Sequence, residues 1–413
     1  MKRRRVAITG VGVACPLGAE KSEFLAALAQ GRSGVAPIRS FPAEDLEVRI
    51  AAEISGFPPE GFFNAKELRR MDRFTLLAAY CAEKAVADSR LDLDALDPVR
   101  AAVMMGTGIG GLEEIISQHD ALLQKGPGRV SPLTVPRAMS GAAASLVSMR
   151  LGLHGPAFSV SSACTSGANA ILSAAWQVRH GMSDVVLAGG TEATLNRLTL
   201  SGFINMKALS RRNDNPSGAC RPFDQDRDGF VMGEGAGVIV LEEMDRAKAR
   251  GAEIYAEVLG GAMTSDAFNV CLPDPDGRWA ARAMRDAMAD AEVATERISY
   301  INAHGTGTKA GDEIEAKAIR DVFGDHASGI PVSSTKSMLG HLLGASGAVE
   351  IVACLLSMRN NLIHRTLNLE NPDPACLGLD FVAEGTREAG LDCVLKNSFG
   401  FGGHNVALVL GRV

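Results

Sequence analysis

The chain has 413 residues, 46% of them hydrophobic and 22% charged, which allows a large core and excludes a mainly disordered chain. A net charge of −6 gives no support to a general role on nucleic acid or on a membrane surface, and 5% aromatics exclude a stacking platform for single-stranded bases. Eight scattered cysteines without a C-x-x-C pair argue against a zinc site or a disulfide framework and for a reducing compartment, the cytoplasm.

The opening basic stretch, Lys2 to Arg5, followed by apolar Val6 to Ala14, imitates a secretory leader. Gly10, Gly12 and Pro16 interrupt it, and it reads better as a first strand ending in a turn. Its G-x-G lacks the third glycine of a dinucleotide fingerprint. No apolar run reaches bilayer-spanning length. Further on, buried strands are predicted at 101–106, 157–163, 184–189, 237–242, 254–262, 298–303, 331–334 and 405–410, besides 5–11. Helices are predicted at 22–30, 73–89, 112–123, 167–180, 278–291, 312–322 and 347–359. Their alternation predicts an α/β body with partly parallel sheets. The strand GVIVLEEM closes one series and IYAEVLGGAM opens a second, so two halves are expected, 1–252 and 253–413, sharing one core. The stretch 205–227, rich in Arg, Asn, Asp and Pro, reads as a long functional or partner-facing loop.

Four segments carry candidate chemistry. In VSSACTSGANA a strand runs into small residues and a helix starts just after Cys164. Such a turn exposes its side chain as a nucleophile elbow does, and free N–H groups at the helix mouth favour a thiolate. The bland reading is a buried structural cysteine, but small neighbours on both sides leave room for substrate. His304, in NAHGTGT, stands at a strand end before a glycine turn and faces a cleft. In SSTKSMLGHLLG, Lys336 and His341 lie five residues apart before a helix whose Glu350 can pair with Lys336. NSFGFGGHN offers a glycine-rich turn with the lone Phe401, suited to backbone donors and a movable apolar side chain. Taken singly, each histidine could equally be a satisfied core residue.

Together and in this order, the segments resemble the β-ketoacyl-acyl carrier protein synthase family. The likeness runs from VAITGVG to GFGGHNVALVLG and is greatest to its elongating bacterial synthase II branch. GTGIGGLEE, CRPFDQDRDGFVMGEGAG and STKSMLGHLLGASGAVE carry it as well. The resemblance implies a thiolase-like fold of two duplicated α/β halves stacked as five αβαβα layers. It implies that Cys164 takes the acyl chain from a thioester, with the N–H groups of Cys164 and Phe401 as oxyanion hole. His304 and His341 would donate hydrogen bonds to the malonyl thioester carbonyl as carbon dioxide leaves, and Lys336 with Glu350 would orient the second of these histidines. Ile109 and Phe203 would line an acyl tunnel gated by Phe401, and Thr306 and Thr308 would bind the phosphopantetheine arm. Glu350 is grouped with these substrate-binding residues. A basic rim of Lys66, Arg69, Arg70, Arg129 and Lys207 would receive an acidic carrier protein. No metal or organic cofactor is implied, and the expected assembly is a homodimer or a heterodimer with a related subunit. The sequence departs from the family at His404 and Cys271, where Thr is frequent, and has SSACTSG for the commoner STACTSG. The first two put gating and substrate range in question, not the chemistry.

Rival readings share the fold. A specialised polyketide or polyene ketosynthase would use the same residues. A non-catalytic chain-length partner would lack the nucleophile, against which Cys164 argues. A thiolase needs a second catalytic cysteine, and Cys393 is not followed by the required Cys-Gly-Gly run. A Cys–His–Asn enzyme using Asn405 would leave His341 idle.

Overall fold

The computed structural model describes residues 3–413; Lys2 of the basic opening lies outside them. The main strands are β1 (Val6–Ala14), β2 (Ala101–Gly106), β3 (Ala157–Val160), β4 (Val185–Glu192), β5 (Gly235–Glu243), β6 (Ala256–Ser265), β7 (Tyr300–Asn302), β8 (Pro331–Ser333), β9 (Asp380–Phe381), β10 (Cys393–Gly400) and β11 (His404–Gly411). The helices that matter here are α1 (Lys21–Gln30), α2 (Ala65–Arg70), α3 (Arg73–Ser89), α4 (Leu112–Lys125), α5 (Ala142–Leu151), α6 (Ser166–Arg179), α7 (Arg197–Asn205), α8 (Arg278–Ala291), α9 (Lys309–Phe323), α10 (Lys336–Leu339) and α11 (Ser346–Asn360).

The strands form one eleven-stranded sheet in the order β9-β8-β7-β10-β11-β6-β1-β5-β4-β2-β3. Its two ends repeat one topology. β3-β2-β4-β5-β1 runs third, second, fourth, fifth, first in its half, and, with the short edge strand β9 set aside, β8-β7-β10-β11-β6 does the same in the other. The pairing repeats too: the outer pairs β2–β3, β2–β4, β7–β8 and β7–β10 are parallel, and the inner pairs are antiparallel. The halves join where β1 meets β6, through Ala7 opposite Glu257 and Ile8 opposite Ala256.

Three apolar cores separate the layers. α3 and α5 cover the outer face of the first half, α8 and α9 cover that of the second, and α6 and α11 lie between. β1 and β4 are covered on both faces and buried along their whole length, and they are correspondingly rich in apolar and small residues. Gly10 and Gly12 serve this packing and not a phosphate: a Cβ on Gly12 would stand 1.9 Å from the Cys81 carbonyl oxygen of α3. Gly167 and Gly347 do the same for the middle layer. A Cβ on Gly347 would lie 2.9 Å from the Ala168 backbone, so α6 and α11 cross closely and bring their N-terminal ends to one place.

The predicted strands and helices are present, with ends moved by up to three residues. One strand is a correction. Residues 397–405 were expected as a turn, yet β10 extends to Gly400 and only 401–403 turn before β11. Lys396, Asn397 and Ser398 hide it, being polar side chains fully buried between layers. The stretch 205–227 holds only a short 3-10 turn at Pro216–Gly218, and it is pinned rather than loose: Asp224 accepts from the N–H groups of Asp226, Glu370 and Asn371. Among the described residues no helix is long and apolar enough to cross a membrane.

Candidate active site

A cavity of about 800 Å³ opens where the N-terminal ends of α6 and α11 meet the β10–β11 turn. Cys164, His304, His341 and Phe401 all line it.

Cys164 follows β3 across a sharp bend. Ala163 has φ of 52°, a strained value for a residue with a side chain, and α6 starts two residues after the cysteine. The bend is fastened from below. Ser166 Oγ accepts from Ser162 N–H at 2.9 Å, and Thr165 Oγ1 donates to the Ser162 carbonyl at 2.7 Å. The expectation of a thiolate needs correction. Burial pushes the Cys164 thiol up to about 11, against the pull of the Lys336 charge and of the Phe401 and Cys164 N–H groups. Cys164 is only 8% exposed, so lost hydration outweighs the helix mouth and the resting thiol is neutral.

His304 stands just past β7. Glu315 of α9 accepts from the N–H groups of His304 (2.8 Å) and Gly305 (2.7 Å). Asp312, one turn earlier, accepts from Thr306 N–H (3.0 Å) and Gly307 N–H (3.2 Å). Two carboxylates of one helix thus hold the whole HGTG turn. Both were missed in the sequence, although their spacing in GDEIE directly after the glycine turn was a signal. Burial pushes the Asp312 carboxyl up to about 7 despite these N–H groups and Arg227.

His341 is set by its N–H to the Val231 carbonyl (2.7 Å) and by Ser346 Oγ, 2.8 Å from its Nδ1. The two imidazoles are 5.5 Å apart and nearly perpendicular. Burial, then the charge of Lys336, holds both well below the ordinary imidazole range. Both are therefore neutral donors.

Lys336 corrects another expectation. Its Nζ does not orient His341. It donates to the His304 carbonyl (2.7 Å), lies 3.2 Å from His304 Nδ1 and pairs with Glu350 at 2.6 Å. The reason is placement: Lys336 opens α10 facing the 304–305 turn, while His341 lies beyond α10 against Ser346. Glu350 is likewise not a substrate contact. It is 1% exposed inside α11 and does not line the cavity.

Phe401 sits on a turn whose next residues, Gly402 and Gly403, have φ of 81° and 76°. The turn is tied to the neighbouring loop by Gly402 N–H to the Val270 carbonyl and Asp266 N–H to the Gly403 carbonyl, both 2.8 Å. Cys271 lines the cavity beside it, and Asn405 there donates to Asp266 at 2.6 Å. Phe203 stands behind Phe401, ring centroids 6.4 Å apart, and against Phe230. Thr306 and Thr308 line the cavity as expected and share a hydrogen bond of 2.9 Å. Ile109 does not: it is 44% exposed, outside the cavity.

Of the basic rim, only Lys207 reaches the mouth of the cavity. Lys66, Arg69 and Arg70 are exposed together on α2, and Arg129 is exposed after α4, none of them lining the cavity. Arg212 and Lys309, unremarked in the sequence, stand at the mouth with Lys207. Their positions depend on how 205–227 and the start of α9 fold together, which no local motif reveals.

A cysteine on a strand-to-helix bend, two neutral imidazoles and a pair of backbone donors at the thiol define a condensing-enzyme site. In agreement, residues 3–247 match the β-ketoacyl synthase N-terminal domain and residues 255–370 its C-terminal domain. The chain belongs to the β-ketoacyl synthase family. Within it, the chain is 46% identical, over the full length of both proteins, to the 3-oxoacyl-[acyl-carrier-protein] synthase 2 of Coxiella burnetii. Among solved structures it is similar to the ishigamide ketosynthase/chain length factor (TM-score 0.93, 36% identity, all of both chains). It is also similar to a ketosynthase bound to a hexaketide and in complex with its type II PKS acyl-carrier protein (TM-score 0.91, 32% identity, all of both chains).

Proposed function

We propose that this protein is a 3-oxoacyl-[acyl-carrier-protein] synthase of the synthase II type, an acyltransferase of fatty acid elongation. The observation that carries the reading is the convergence of Cys164, His304 and His341 on one cavity, both imidazoles neutral, with the Phe401 and Cys164 N–H groups at the thiol.

The reaction follows from those positions. Cys164 Sγ attacks the carbonyl of an acyl thioester, loses its proton as the new bond forms, and expels the carrier thiol. Two fixed N–H donors at the developing oxyanion each contribute about 3 kcal/mol. Malonyl-carrier protein then enters past Thr306 and Thr308. The imidazole N–H groups of His304 and His341 bind its thioester oxygen. As the carboxylate leaves as carbon dioxide, the electron pair of the broken C–C bond passes into the enolate. Two neutral donors stabilise that charge without having to give up a proton. The enolate carbon attacks the acyl-Cys164 carbonyl, the C–S bond breaks, and a 3-oxoacyl-carrier product forms with the thiolate released. Loss of carbon dioxide drives the step, so the chemistry needs no metal or organic cofactor.

The further proposals rest on family likeness and placement. Substrates arrive on the phosphopantetheine arm of an acyl carrier protein, which docks at Lys207, Arg212 and Lys309. The chain works as a homodimer or beside a related subunit, in the cytoplasm, as its free cysteines suit. The halves are taken as 1–252, carrying Cys164, and 253–413, carrying both histidines.

The test is intact-mass analysis of the enzyme offered a ladder of acyl-carrier proteins, followed by malonyl-carrier protein. Acyl mass should appear on Cys164 and be discharged as 3-oxoacyl product. An enzyme that accepts acyl groups only with a second subunit, or extends them repeatedly, would favour a polyketide ketosynthase instead.

A further inference from the structure

Behind the two imidazoles lies a second buried lysine that the mechanism above leaves unused. Lys396, on β10, has no exposed surface. Its Nζ is 2.8 Å from Glu350 Oε2, while Lys336 Nζ is 2.6 Å from Oε1 of the same carboxylate. One buried glutamate thus bridges two buried ammonium groups. Lys396 also donates to Ser398 Oγ at 3.2 Å and to the Asn397 carbonyl. An ammonium withdrawn fully from water is unfavourable, and an apolar side chain of the same length would fill this space without that cost. The charge itself therefore calls for a reason.

We propose that Lys396 is a positioning residue of the condensing reaction: it forms an ion pair with the second oxygen of Glu350, and through Glu350 and Lys336 it holds His304 as a hydrogen-bond donor toward the substrate. This rests on the functional reading given above. The route is short. Glu350 fixes Lys336, and Lys336 fixes the His304 carbonyl and faces its Nδ1.

The charges around His304 set the sign. Lys336 faces it from α10 and His341 from the segment before α11, while Lys396 of β10 stands on the other oxygen of Glu350. Glu315 of α9 binds its backbone N–H, and Asp312 holds the next turn. Glu350 lies behind Lys336, and Cys164 stands across the cavity with Glu192 near its loop. Two lysines thus balance Glu350 and Glu315. Burial, then Lys336, His341 and Lys396, keeps His304 unprotonated, and Lys396 acts on His341 in the same direction. Without the Lys396 charge, the anions are in excess and the imidazoles take protons at a higher pH.

The experiment follows the ring signals of [13C]histidine-labelled protein against pH, assigned with His304→Gln and His341→Gln. In the unaltered protein neither ring should titrate at the ordinary imidazole midpoint. In Lys396→Met the His304 midpoint should rise by about half a unit or more. Lys396→Gln, which keeps a polar side chain of similar size but no charge, should give the same displacement and serves if the methionine variant does not fold. Lys396→Met/Glu350→Gln, which removes one charge of each sign, should return the midpoint toward its original place. Carbon dioxide release from malonyl-carrier protein should show an acid limb at a higher pH in the single variants than in the unaltered enzyme, while acylation of Cys164 is kept. Unmoved ring titrations, or a double variant displaced as far as the single one, would overturn the proposal. Absence of carbon dioxide release from the unaltered enzyme would instead sink the functional reading and leave the titrations to speak alone.

Discussion

Lys336 Nζ stands 3.2 Å from His304 Nδ1 while its other contacts are the His304 carbonyl and Glu350. An ammonium can only donate, so Nδ1 must accept and the proton of the neutral ring is on Nε2. His304 therefore offers an N–H and not a lone pair to whatever lies on that side. A general base is excluded by this tautomer, and a hydrogen-bond donor to an enolate oxygen fits it. His304→Ala should slow carbon dioxide release from malonyl-carrier protein by about 10²–10³. His304→Gln, whose amide N–H can take the place of Nε2–H, should lose less. Both imidazoles are held below their ordinary range, so release by the unaltered enzyme should stay level as pH falls from about 8 to about 6. An acid limb at the usual imidazole midpoint would contradict the arrangement.

The two cysteines at the cavity should react differently. Cys164 is nearly covered and its thiol is raised to about 11, whereas Cys271 is half-buried at the rim. A small polar alkylating agent at neutral pH should mark Cys271 first, and an acyl-shaped inhibitor such as cerulenin should mark Cys164. Peptide mass after labelling separates the cases, and an acyl-shaped reagent found on Cys271 would mean the wrong nucleophile. Cys164→Ala should form no 3-oxoacyl product yet still release carbon dioxide, because the enolate donors are untouched.

What the sequence made legible follows from where its information is local. Strand-to-glycine transitions marked Cys164 and His304 because a bend needs small residues next to it, whatever packs around. Helix periodicity placed α3 and α8 to the residue. The charge network was only half visible. Lys336 and Glu350 are fourteen apart in one segment, but Lys396 comes from β10 and no local motif singles it out. Which histidine Lys336 serves was misread for the same reason: the contact spans 32 residues and depends on β7 and β8 lying side by side. The thiol was misjudged because a helix mouth is a local feature and burial is a property of the whole fold.

Gly12 tests the packing that sets the site. β1 is the inner strand of its half and α3 lies directly on it, with the Cys81 carbonyl 1.9 Å from where a Cβ would be. β1 cannot yield here without breaking its pairing to β5, where Gly12 stands opposite Val238. Gly12→Ala should destabilise the protein by about 3 kcal/mol, the upper end for overpacking. The urea midpoint should fall accordingly. A variant as stable as the original would show that α3 is free to shift.

Lys207 separates two pictures of carrier docking. It is exposed, it lines the cavity mouth, and Arg212 and Lys309 stand with it. The α2 cluster of Lys66, Arg69 and Arg70 is equally basic but does not line this chain's cavity. A phosphopantetheine arm must enter at the mouth, so the protein that bears it has to rest there. Lys207→Glu should raise the KM for carrier-bound substrate about fivefold at low salt, with kcat little changed, because a single exposed charge acts on encounter and not on chemistry. Added salt should shrink the difference as screening sets in. Lys66→Glu with Arg69→Glu, measured alongside, should weaken binding less if docking is confined to the mouth. A larger effect from the α2 pair than from Lys207 would place the carrier across α2, and would mean that those residues complete the mouth of a second subunit.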